Sequence, residues 1–89
     1  MMTVVINGVK FDSVVGYKAN SGETSHVILE VLSGSCEEWW LKDRVHLLSP
    51  KTYSTWEHKG NLVIEAFFDT ELTIQCGSDI FSIQRLFWK

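Results

Sequence analysis

Eighty-nine residues suffice for one domain with a modest core and leave no room for a second. Hydrophobic residues make up 45% and charged residues 21%, a balance that excludes an intrinsically disordered chain. Only two Ala and one Pro occur, which excludes coiled coils, helical repeat arrays and collagen-like chains, and the net charge of −3 comes without any run of adjacent Lys or Arg.

In chain order, the first signal is Thr3-Val-Val-Ile6, then Asn7-Gly8, then Val9-Lys-Phe11. Asn-Gly tolerates the positive φ values of a two-residue type I′ turn, so these residues are expected to form a hairpin whose second arm runs on toward Tyr17. Lys18 to Ser25 reads as a polar loop. His26 to Leu32 reads as a strand with Val27, Leu29 and Val31 on one side, broken by Ser33-Gly34-Ser35.

Residues 35–48 carry two periods at once. Ser35-Cys-Glu-Glu38 fits a capping box, and Cys36, Trp39, Trp40 and Asp43 follow helical spacing. As a strand, 39–47 would instead put Trp40, Lys42, Arg44 and His46 on one face, an aromatic-plus-basic surface suited to single-stranded nucleic acid. The favoured reading is a short helix near 35–43 running into a strand near 44–48.

The C-terminal half is plainer. Thr52 to His58 reads as a strand with Tyr53 and Trp56 on opposite faces, turned by Lys59-Gly60-Asn61. Leu62 to Phe68 is apolar on both parities and reads as a central strand covered on both sides. Glu71 to Cys76 alternates cleanly, Gly77-Ser78-Asp79 turns, and Ile80 to Trp88 alternates again. Nine Val, six Ile and six Thr against two Ala support the same conclusion, because β-branched side chains crowd a helix and suit a pleated surface. The expected fold is a mainly β single domain over residues 1–89. It is an antiparallel meander of about seven short strands forming a small sandwich or barrel, with one short helix near 35–43.

Little in the chain favours catalysis. Glu57-His58 is the one adjacent acid–imidazole pair, and neighbours on a strand point to opposite faces. Cys36 and Cys76 stand without CxxC or HxxxH spacing, so no metal is expected. The glycines lie singly, with no GxGxxG, P-loop or GxSxG pattern. No cofactor and no catalytic residue are therefore expected. Met1 to Ile6 lacks a basic region followed by a long apolar stretch, and no apolar run is long enough to span a bilayer. A cytoplasmic protein with two reduced thiols follows as an expectation.

Two features favour binding. Glu57, Glu65, Asp69, Glu71 and Asp79 face only Lys59 between positions 57 and 79, a local charge of −4. Four Trp in so short a chain give more aromatic surface than one small core needs, and Trp is over-represented at interface centres. Trp56 is assigned to the core. The adjacent Trp39 and Trp40 cannot both enter it, and Trp88 sits one residue from the end. The expected role is a small acidic binding protein acting by protein–protein occlusion, of the immunity, antitoxin or phage-encoded inhibitor type. Trp40, Glu65, Asp69, Glu71 and Trp88 would meet a partner with a basic surface. The scattered positive charge argues against nucleic acid as that partner. A small-ligand or nucleotide-binding barrel and a subunit of a larger assembly are the alternatives, and a homo-oligomer stays open.

Overall fold

The computed structural model describes residues 1–20, 25–76, 79–83 and 87–88 along the backbone, and side chains for 1–19 and 25–76. The elements are β1 (Met2–Ile6), β2 (Val9–Asn20), β3 (Ser25–Val31), α1 (Glu38–His46), β4 (Thr52–His58), β5 (Asn61–Phe68), β6 (Leu72–Cys76), β7 (Asp79–Ile83) and β8 (Phe87–Trp88). The strands form one antiparallel sheet in the order β4-β5-β3-β2-β1-β6-β7, with β8 on β2. Among the described residues the domain is thus mainly β with a single short helix.

Local chemistry accounts for the hairpins. Asn7 and Gly8 hold φ values of 47° and 84° between β1 and β2, and Lys59 and Gly60 hold 51° and 82° between β4 and β5. Both pairs occupy the left-handed region a type I′ turn demands. Asn7 does more than turn the chain. Its amide donates to the Thr73 carbonyl at 2.9 Å, and its side-chain oxygen accepts the Thr73 amide at 2.8 Å, tying the turn to β6. Replacing Asn7 by Ala adds a left-handed Cβ penalty and removes that acceptor, at a cost of about 1–2 kcal/mol. Urea melts should show Asn7→Gly, which keeps the backbone freedom, losing less.

β2 is long because one strand serves two neighbours on one edge. It pairs with β3 through Val14–Asn20, and on the opposite edge it meets β1 first and β8 later. Two register shifts make this possible, one between Met2 and Val4 and one between Val14 and Gly16. Ser13 takes φ 59° there. A bulge bends a strand and resets its parity. Val14 and Tyr17, three positions apart, therefore both enter the core. The chain order departs from neighbour-to-neighbour succession where β5 returns beside β3 and where the chain then crosses to β6 beside β1.

One face of the sheet carries the core, which includes Val4, Ile6, Phe11, Leu29, Ile64, Phe68, Leu72 and Ile74. α1 closes it with Leu41 and Val45, which are four apart and so share a helix face. Glu38 in the first turn and Arg44 and His46 in the last suit the helix dipole, and Glu38 pairs with Lys42 at 3.2 Å.

The expected strand at 44–48 does not form. Burying Val45 beside Leu41 keeps Arg44–His46 helical, and Leu47, Leu48 and Ser49 bond back to Arg44, Val45 and His46. The expected capping box is also absent. Ser35 Oγ donates to the Leu32 carbonyl at 2.7 Å instead, and the helix begins after Glu37 without a side-chain cap. Lys18–Asn20, expected in a loop, extend β2. Residues 21–24 of that loop, the turn at Gly77-Ser78 and the side-chain alternation along Ile80–Trp88 lie outside what is described.

Candidate functional site

Trp39 and Trp40 follow directly from the docking of α1. With Leu41 and Val45 turned inward, the preceding pair lies on the helix flank, and Trp39 is 63% exposed and Trp40 37%. The Arg44 guanidinium lies 5.4 Å from the Trp40 ring centroid, one helical turn on. Arg44 Nη2 also donates to the Lys10 carbonyl at 3.0 Å, anchoring this flank to β2.

Beside the pair runs a groove of about 310 Å³, lined by Asp12, Ser13, Ser35, Cys36, Glu37 and the two indoles. The β2 bulge forms one wall. Ser13 in its left-handed conformation presents its carbonyl to the Leu32 amide at 2.9 Å, which pins the 32–37 segment against β2. Leu32 and Val15 stand exposed at the same bulge. Asp12 accepts from Thr3 Oγ1 at 3.0 Å and lies 3.9 Å from Lys10 Nζ. Burial pushes the Cys36 thiol pKa up, and the charge of Glu37 adds to this against the opposing hydrogen bond with Ser35. A thiol kept protonated in this way packs rather than attacks. Four exposed apolar side chains around two acids make a surface fit for protein contact.

The five residues expected at the site do not converge. Trp40 borders the groove. Glu65 lies on the opposite face of the sheet, since Ile64 and Ala66 beside it are in the core, and it meets His26 Nε2 at 2.6 Å. Asp69 pairs loosely with Lys51 at 3.7 Å in the connection after β5, where Glu71 is also exposed. Trp88 is described only by its backbone pairing with Lys18.

Trp56, assigned to the core from the sequence, is 42% exposed. It sits opposite Val63, on the parity that faces away from the core. β5 is likewise covered on one face only. Val63 is buried on the outer face, but Glu65 is half-buried and Phe67 exposed.

The outer face holds contacts that no local motif announces. His26 stacks on Phe67 with centroids 4.3 Å apart and planes within 5°. Glu30 accepts from Asn61 Nδ2 at 2.8 Å and lies 3.3 Å from His58 Nδ1. These acid–imidazole pairs join residues 39 and 28 positions apart, so only cross-strand register could have revealed them. A shallow depression of about 380 Å³ lies between Gly16, Ile28, Glu30, Trp56 and Val63.

The Asn61 hydrogen bond holds the Glu30 carboxyl below its ordinary value near 4.5, and His58 and Lys59 assist against partial desolvation. A lowered folded-state pKa contributes stability above the ordinary value and loses it as pH falls through the folded one. Glu30→Gln should therefore be less stable than the parent at neutral pH and show a flatter decline under acid. Urea midpoints taken from about pH 6 to about pH 3 check this, and parallel curves would remove Glu30 from the account.

Among the described residues no helix is long and apolar enough to cross a membrane, and no three His, Cys, Asp or Glu side chains group as a metal site. Both cysteines are free thiols. No family model, curated protein or solved structure matches the chain.

Proposed function

We propose that this chain is a small binding protein that acts by occlusion, docking through the Trp39–Trp40 groove onto a protein partner with a basic surface. The observation that carries the reading is the pair of adjacent exposed indoles on a helix whose other side is locked into the core. Large apolar groups held rigidly at the surface lose little entropy on binding and gain much from leaving water. Asp12 and Glu37 at the groove favour a positively charged counterpart, and the net charge of −3 favours its approach. The acids at 65–71 then belong to steering rather than anchorage. The role is of the inhibitor or immunity type, in a cytoplasmic setting compatible with two free thiols.

The test is capture of a stoichiometric partner by the native chain, compared with Trp39→Ala and with Asp12→Lys/Glu37→Lys. Loss of capture by both folded variants supports the reading. Undiminished capture by both would remove the groove from it.

A further inference from the structure

The sulfur-bearing residues of the chain are Met1, Met2, Cys36 and Cys76, and all but Cys36 meet at one end of the sheet. Cys76 stands opposite Val4 in the β1–β6 pairing, and Met2 lies two positions back along β1, diagonal to it. Diagonal neighbours are within reach of a long side chain, and the Cys76 thiol donates to Met2 Sδ at 3.4 Å. Both side chains are half-buried and packed against the core. A depression of about 500 Å³ opens there, lined by Met1, Met2, Thr3, Val5, Gln75 and Cys76.

The donor set selects the ligand. Among the described residues the depression offers one thiol and two thioethers, with no carboxylate and no imidazole. Calcium, magnesium and manganese want oxygen ligands, and zinc wants several thiolates or imidazoles. Thiolate combined with thioether is the soft set that suits Cu(I). Spacing rules for zinc count Cys and His alone, so a thioether site escapes them.

The geometry points to a site for one Cu(I) ion between Cys76 Sγ and Met2 Sδ, with the Met1 thioether in reach as a further ligand. Binding exchanges a proton for the metal. The Cys76 S–H bond breaks, its proton leaves to water, and Sγ–Cu and Sδ–Cu bonds form without change of oxidation state. Thiolate and Cu(I) together carry no net charge, so the half-buried position against the core is less costly than for a divalent ion. With metal–sulfur bonds of about 2.3 Å the two sulfurs stand about 4 Å apart. Met2 has to move by less than about 1 Å, which its three rotatable bonds allow. Cys36 has no such neighbour, since no methionine lines its groove.

Anaerobic titration of the reduced full chain with Cu(I), against a chromophoric Cu(I) chelator, is the test. One Cu(I) per chain is expected, with sulfur neighbours in X-ray absorption at the copper edge. Bound Cu(I) should shield Cys76 from iodoacetamide and leave Cys36 open to it, as read by mass spectrometry. Cys36→Ser should bind as the parent does, and Cys76→Ser should lose binding. Met2→Leu keeps the thiol and most of the apolar volume. It should still weaken binding at least about tenfold, the lower end of what losing even an outer-shell partner costs a metal site. That variant decides the matter if the serine variant fails to fold. No binding, binding unmoved by Met2→Leu, shielding of Cys36 instead, or one copper held between two chains would each overturn the proposal.

Discussion

Leu41→Ala is expected to destabilise the domain by about 2–5 kcal/mol, the range for truncating a fully buried Leu. Leu41 is 1% exposed and, with Val45, forms the helical side of the core. A chain of this length has about 4–13 kcal/mol in total, so one side chain carries a large share. The reason lies in the helix itself. α1 has nine residues and no side-chain cap at its start, and isolated helices so short do not persist in water. Its existence depends on docking, and docking depends on Leu41 and Val45. Urea unfolding with an unchanged slope should report the loss, and a cost under about 1 kcal/mol would mean that the helix does not close the core.

Truncating the tryptophans beside Leu41 should do the reverse. Trp39→Ala is expected to change folding stability by no more than about 0.5 kcal/mol, because the indole is already in water. The same change should cost about 2 kcal/mol or more in partner affinity, roughly thirtyfold, as expected of a central aromatic anchor. Trp40→Ala should lose affinity similarly and about 0.5–1 kcal/mol of stability through the Arg44 contact. Asp69→Lys serves as the contrast. It should slow association in a salt-dependent manner and leave dissociation nearly unchanged. Calorimetric titration and binding kinetics on the four proteins separate anchorage from steering.

The strands were legible where their signals are local. Thr52–His58 and the Asn7-Gly8 and Lys59-Gly60 turns are visible in the sequence because alternation and turn chemistry act over a few residues. The helix was legible as an element but not in its bounds. Arg44–His46 fit either period, and only the shared burial of Leu41 and Val45 decides between them. The Ser35 cap failed because the hydroxyl has a closer carbonyl at Leu32.

Trp56 was misassigned for a related reason. Both parities of β4 are largely polar, so the strand by itself does not say which face meets the core. The bulges in β2, the crossing from β5 to β6 and the cross-strand His–Glu contacts depend on pairings between distant segments, which no window of sequence contains. The groove was half visible. Adjacent tryptophans announced a surface aromatic, but its other wall comes from a bulge at Ser13 that nothing local predicts.

Docking at the Trp39–Trp40 groove is read out by amide hydrogen exchange of the chain with and without its captured partner. Protection on binding is expected to concentrate at Asp12–Ser13 and along Ser35–Trp40, with the β5 outer face around Glu65 and the Asp69–Glu71 connection little changed. Protection confined to Glu65–Glu71, with the groove exchanging as in the free chain, would contradict it.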